Sequence, residues 1–243
     1  MRLAGKTALV TGGGTGIGLG IALGLAQEGC RVAIAGRREA KLREAAALYK
    51  GDQPLLVHVC DVAELAEVER LVAWSQSELG ALDILVNSAG VNVRRRSLAE
   101  LSIEDWDTML RVNASGAFYC TRAVLPAMRQ RRDGLIVNIS SIAGIRSSLL
   151  GGIGYTASKF AMSAMGITAA REESQYGIRV TNVYPGEVET PILEQRPTPV
   201  SAEHRLRILQ PEDVAAAVVM IACLPPRAHV SEMVIKPTSQ DFA

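Results

Sequence analysis

Aromatic side chains are scarce in this chain, 4% of 243 residues, and its charges nearly cancel: 26 Lys and Arg face 25 Asp and Glu, for a formal charge of +1. That balance argues against nucleic acid as the natural partner, because phosphate backbones are held by a basic surface. Cysteine is also sparse. Cys30, Cys60, Cys120 and Cys223 stand far apart with no CxxC, and His58, His204 and His229 show no ligand spacing against them. Both sets read as packing or surface residues, and no metal site is expected. Long apolar runs are missing too: Ile17 to Ala26 and Val214 to Leu224 are too short to span a bilayer, and the second stops at Pro225-Pro226. Lys6 is followed within a few residues by a glycine turn rather than by the apolar stretch of a signal peptide. No membrane partner and a cytoplasmic address are the expectations.

What the chain has is aliphatic core material, 48% hydrophobic residues, enough for one α/β domain spanning 1–243. Short runs rich in Val, Ile and Leu without strict alternation predict strands near 6–11, 31–36, 55–59, 83–87, 134–139, 178–184 and 230–235, each buried on both faces. Helical patterns lie between them near 16–28, 39–49, 63–79, 102–130, 155–175 and 212–223, with 102–130 read as two helices broken near Asn113. The alternation predicts a Rossmann-type, doubly wound parallel sheet of about seven strands with helices on both faces. Residues 187–210, with Pro191, Pro197 and Pro199, read as a long loop or substrate lid.

Thr11 to Gly18 reads TGGGTGIG between an apolar strand and an apolar helix, where a dinucleotide pyrophosphate would meet backbone amides. Gly12 permits the sharp exit from the strand, and Gly16 and Gly18 remove side chains where phosphate and strand approach the helix. At the end of the second strand, Ala35-Gly36-Arg37-Arg38 puts glycine where an acid would grip the ribose diol and repel a 2′-phosphate. Arg37 can make charge-assisted contacts to such a phosphate, with Arg38 as helper or solvated cation. NADP(H) is therefore favoured, with NAD(H) the alternative. Farther along, Tyr155 and Lys159 are four apart, on one face of a helix. A free phenol titrates near ~10, and each unit of lowering requires about 1.4 kcal/mol of preferential stabilisation of the phenolate. An ammonium at Lys159 and the cationic ring of an oxidised nicotinamide would both push that way, which makes Tyr155 the candidate proton donor and acceptor. A hydroxyl to bind the substrate oxygen is offered by Ser140, Ser141, Ser147 or Ser148, and spacing does not choose among them. Asn113 reads as a helix cap, and Asn87 as a strand-end turn residue, on local chemistry alone.

The glycine turn, Asp61-Val62, Asn87-Ser88-Ala89-Gly90, Asn113, Ser141, the YxxxK pair and Pro185-Gly186 occur in an order that resembles the short-chain dehydrogenase/reductase family over nearly the whole chain. The resemblance implies a Rossmann fold, a nicotinamide cofactor and hydride transfer between that cofactor and a carbonyl or secondary alcohol. It selects Ser141 as the catalytic hydroxyl and implies that Asn113 places a water continuing a proton relay from Lys159. It also implies a cofactor cradle of Gly12, Thr15, Gly16, Ile17 and Gly18. Asp61 and Val62 would then meet the adenine; Asn87, Ala89 and Gly90 would line the adjacent ribose. Pro185, Gly186, Val188 and Thr190 would lie against the nicotinamide. A homodimer or homotetramer, packed through helices near 114–130 and 155–175, is implied as well.

The substrate is less legible. Leu149 to Ile153 suggests an apolar wall with room for bulk, while Arg94, Arg95, Arg96 and Arg146 suggest an anionic or carrier-linked oxo substrate or else solvated surface. The tail HVSEMVIKPT, His229 to Thr238, looks more like family members acting on hydroxy acids or broader carbonyls than like a carrier-protein reductase. Two other classes stay open: a non-catalytic NADP sensor or scaffold, and an isomerase or dehydratase on the same fold.

Overall fold

The structure is a computed structural model that describes residues 1–241, so the last two residues of the expected 1–243 domain lie outside the described residues. Seven strands form one parallel sheet: β1 (Thr7–Thr11), β2 (Arg31–Gly36), β3 (Leu56–Val59), β4 (Ile84–Asn87), β5 (Gly134–Ile139), β6 (Ile178–Pro185) and β7 (Glu232–Ile235), in the order β3-β2-β1-β4-β5-β6-β7. All seven fall where their aliphatic runs predict. Every residue of β1, β4 and β5 is buried, the signature of central parallel strands covered by helices on both faces.

The helices are α1 (Gly16–Gln27), α2 (Glu39–Leu48), α3 (Leu65–Leu79), α4 (Ile103–Met109), α5 (Gly116–Arg131), α6 (Ile153–Glu173), α7 (Ala202–Arg205) and α8 (Pro211–Ala222). On one face Ile21, Leu25, Leu42, Val214 and Val218 of α1, α2 and α8 pack with Val10 and Ile34. On the other, Val68, Leu71, Cys120, Val124 and Met128 of α3 and α5 pack with Leu9, Leu85 and Ile136. Fully burying each such side chain contributes roughly 1.5–3 kcal/mol. Among the described residues no helix is long and apolar enough to cross a membrane.

Two expectations gain detail. The stretch 102–130 holds two helices, α4 and α5, interrupted at Asn113, and the interruption is a π-helical turn, Leu110–Ser115, that joins them without a loop. Residues 187–210 are not wholly irregular. They hold a 3₁₀ turn at Pro191–Gln195 and the short α7, and their ends pair with each other through Leu209 N to Glu187 O at 3.0 Å and Glu189 N to Leu209 O at 2.7 Å. The segment is thus a loop closed at its base. A reciprocal cap between Gln210 and Asp213, with Pro211 in the first turn, then starts α8.

Strand order reverses between β1 and β4. The connections after these two strands leave in opposite directions and open a crevice at their carboxyl ends, the usual ligand position in such sheets. A buried polar row crosses the sheet there. Asn87 donates to Asn138 Oδ1 at 2.9 Å, Asn138 to Asn182 Oδ1 at 3.1 Å, and Asn182 to Ser163 O at 2.8 Å.

Candidate active site

One cleft of about 570 Å³ opens at that crevice. It brings together eighteen of the twenty predicted site residues: Gly12, Thr15, Gly16, Ile17, Gly18, Arg37, Arg38, Asp61, Val62, Ala89, Gly90, Ser141, Tyr155, Lys159, Pro185, Gly186, Val188 and Thr190. Asn87 does not line it. Its amide is spent on Asn138 and Thr121, because a strand-end side chain here points along the buried row, and Ser88 lines the cleft in its place. Asn113 is also fully buried, beneath Gly90.

Gly12 is the tightest requirement in the turn: φ is +67° and a methyl there would sit 2.8 Å from Ala89 N. The turn therefore closes directly onto the segment after β4. Thr15 occupies the N-cap of α1 without making a side-chain cap, and the first turn of α1 carries no acid. By contrast, α2, α3, α4 and α8 each carry Glu or Asp in their first turn. The uncapped amides and positive end of α1 thus face the cleft uncompensated, a setting for an anion. Arg37, Arg38 and Lys41 stand at the same end of the cleft lining, although Arg37 Nη1 is 3.9 Å from Asp61 Oδ2 and Lys41 Nζ is 2.6 Å from Glu44 Oε2. Both pairs are exposed and therefore weak. The bare glycine turn, the uncapped helix end and this cation group fit a nicotinamide dinucleotide, whose pyrophosphate the α1 end would hold and whose adenosine end Arg37 would meet.

At the opposite end, Tyr155 and Lys159 lie one turn apart on α6, with Lys159 Nζ 5.7 Å from the Tyr155 ring centroid. Lys159 is buried and donates to Ile139 O at 2.8 Å. Burial pushes its ammonium down to about 8. Tyr155 moves opposite to expectation. Burial raises its phenol above the ordinary value, opposed by hydrogen bonding with Ser141 and then by the charge of Arg96. The chain by itself does not acidify this phenol. It keeps the proton on Oη at neutral pH.

Geometry separates the serines. Ser140 is buried, its hydroxyl engaged with Lys159 O and Ser163 Oγ at 3.2 and 2.9 Å. Ser141 stays partly open beside Tyr155 and accepts from Ala143 N, at 3.1 Å. Asn113 is not a helix cap. Its Nδ2 donates to Val91 O and Ser158 Oγ, both at 2.9 Å, and its Oδ1 accepts from Val91 N at 2.8 Å. The wide π turn directs this side chain between the segment after β4 and α6. A methyl at Gly90 would lie 3.6 Å from both Asn113 Oδ1 and Lys159 Nζ, so the two groups converge under one glycine.

Sequence reasoning missed Lys41, Ser88 and Gln240 in the lining. Lys41 was findable as the residue one helical turn beyond Arg37. Gln240 was not: it accepts from Glu187 N at 2.9 Å across a separation in sequence that no local pattern encodes.

Residues 6–200 match the family model for short chain dehydrogenases. An uncharacterised oxidoreductase of Staphylococcus aureus strain MRSA252 is 34% identical over 235 residues, covering 97% of this chain and 98% of the relative. Among solved structures, the closed form of a serine dehydrogenase complexed with NADP+ is 32% identical with a TM-score of 0.89, covering 98% and 97% of the two chains. A 3-ketoacyl-(acyl-carrier-protein) reductase from Brucella melitensis complexed with NADH is 28% identical with a TM-score of 0.88, covering 96% and 98%. A doubly wound sheet with a glycine-turn crevice is the frame of a nicotinamide-nucleotide oxidoreductase. This chain belongs to the short-chain dehydrogenase/reductase family.

Proposed function

We propose that the chain is an NADP(H)-dependent oxidoreductase of carbonyl and secondary alcohol substrates, a single domain whose segment 187–210 is the substrate lid and whose address is cytoplasmic. One observation carries the reading: Tyr155, Ser141 and Lys159 converge at one end of a cleft whose other end is a glycine turn flanked by Arg37, Arg38 and Lys41. When bound, a reduced nicotinamide supplies the hydride that reaches the carbonyl carbon. The chain's own residues do the rest. Ser141 donates a hydrogen bond to the carbonyl oxygen and stabilises the charge that develops there. Tyr155 Oη, protonated at neutral pH, hands its proton to the same oxygen. Lys159, charged below about pH 8, favours the tyrosinate left behind, returns a proton to it and regains one from solvent water through the polar pocket under Gly90, where Asn113 holds the backbone in position. Gly186, Val188 and Thr190 orient the cofactor, and the closed base of the lid keeps water from the reacting carbon.

NADP(H) over NAD(H) rests on the cations near Arg37 and on glycine at position 36, where an acid would discriminate against a 2′-phosphate. The oxidoreductase reading is favoured over a sensor or an isomerase because a sensor needs no Tyr–Ser–Lys set and an isomerase no consumption of free coenzyme. A panel of ketones and oxo acids assayed with NADPH and with NADH tests all of this. The expected result is stoichiometric NADPH oxidation at a kcat/KM at least about tenfold above NADH, the effect of one charge-assisted contact. Binding without turnover would leave a sensor, and turnover without net coenzyme use would leave an isomerase.

A further inference from the structure

Of the run Arg94 to Arg96, the first two side chains are exposed, but Arg96 turns inward and is only 7% exposed. Its Nη1 donates to Leu150 O at 2.9 Å and its Nη2 to Gln195 O. These two bonds tie the loop before α6 to the 3₁₀ turn of the lid. Gly152, with φ at +77°, lies so close that a methyl there would meet Arg96 Cβ at 2.6 Å, so the stem of Arg96 is fixed against the N-cap of α6, three residues ahead of Tyr155. It lines the same cleft as Tyr155.

What Arg96 lacks is a counter-ion. Among the described residues its protein partners are two neutral carbonyls, no carboxylate pairs with it, and its Nε is buried with no partner. Burial and then the like charge of Arg196 push the Arg96 guanidinium down, opposed by Tyr155, and Arg196 has its own carboxylate in Glu187 at 3.0 Å. A buried cation left without an anion is costly, and a buried donor without an acceptor adds to that cost. Of five N–H donors the two carbonyls take two. The second hydrogens of Nη1 and Nη2 remain for the planar oxygens of a carboxylate, which a guanidinium matches better than any other side chain does.

We infer that Arg96 anchors the carboxylate of the substrate, which makes the substrate class a small oxo acid and its hydroxy acid; this rests on the carbonyl and alcohol chemistry proposed above. The carboxylate is a spectator: hydride adds to the carbonyl carbon, the Tyr155 proton to the carbonyl oxygen, and the C=O becomes CH–OH with the coenzyme oxidised. The same bonds from Arg96 to Leu150 and Gln195 bar that side of the cleft. A free acid therefore fits better than a thioester trailing a carrier arm, which needs an open exit.

The test compares short oxo acids with their methyl esters, using NADPH oxidation, in the native chain, Arg96→Met and Arg96→Lys. The native chain should prefer acid to ester by about 100-fold in kcat/KM, the order set by a buried charge pair. Arg96→Met should cut the acid-to-ester ratio by at least about 30-fold, chiefly through KM for the acid, and Arg96→Lys should restore only part of it. In parallel, calorimetric titration of short hydroxy acids and their amides onto the NADP+-loaded chain should show acid-selective binding that Arg96→Met loses. An unaltered ratio in Arg96→Met, or equal handling of acid and ester by the native chain, overturns the inference even if the variant folds poorly, since the second result needs no variant. Reduction of neutral ketones without acid preference sinks this inference alone. Acid-selective binding without any carbonyl reduction sinks the catalytic reading and leaves Arg96 as an anion site.

Discussion

Tyr155 and Lys159 carry opposite shifts for one physical reason: burial disfavours whichever form is charged. Burial therefore raises the phenol, leaving it in the donor form, and lowers the ammonium to about 8, within reach of neutral pH. Tyr155→Phe keeps the ring and removes the proton. Turnover should fall by at least about 10³-fold, while NADPH affinity, read by fluorescence titration, changes less than about threefold because the ring still packs. Near-native turnover would remove Tyr155 as the acid. Spacing identified this pair but not Arg96, remote in sequence, whose charge also opposes the rise of the phenol. Ser140 and Ser141 show the same limit. Neighbouring residues point to opposite sides of an extended segment, and only the packed α6 shows which side is the cleft.

At the scale of elements, strands were legible nearly to the residue, since runs of Val and Ile buried on both faces have few other uses. The join between α4 and α5 was not. A helical break and a π turn both interrupt the local 3.6-residue pattern, and the backbone bonds that distinguish them leave no mark in side-chain type. Another element-scale feature is a stripe on α6: Ile153, Phe160 and Ile167, seven apart, are 41%, 42% and 38% exposed, and Phe118 of α5 is 45% exposed. Apolar residues at that spacing on a solvent face fit a helix-to-helix interface between copies. Sedimentation of the native chain should give a dimer or tetramer, and Phe160→Lys with Ile167→Lys should shift it toward monomer. A monomer in the native chain at micromolar concentration would refute this use of the stripe.

For the whole molecule, Lys159 links the active site to stability. Its pKa is about 8 folded against 10.5 for the free side chain. Below pH 8 both states hold the proton and the cost of the buried charge is full. Between 8 and 10.5 the unfolded chain binds more protons than the folded one, so the Lys159 contribution to stability rises with pH, by up to about 1.4 kcal/mol per unit. Cys30 and Cys60, pushed by burial from 9.0 up to about 12, act in the opposite sense above pH 9. The difference between the native chain and Lys159→Met isolates the lysine. Measured by urea unfolding, it should shift in favour of the native chain as pH rises through that window, and a pH-independent difference would contradict a depressed Lys159.

The order of strands and helices, the glycine turn and the Tyr155–Lys159 face were set by the amino-acid sequence itself, because each depends on side-chain type at short spacing. What the tertiary structure alone decided is which groups from distant segments share the cleft. Arg96 reaches inward, Gln240 folds back onto Glu187, Asn87 turns into the sheet and the ends of 187–210 clasp each other. These outcomes follow from packing the two helical layers onto the sheet, where burial and unmet hydrogen bonds, rather than local pattern, select the partner.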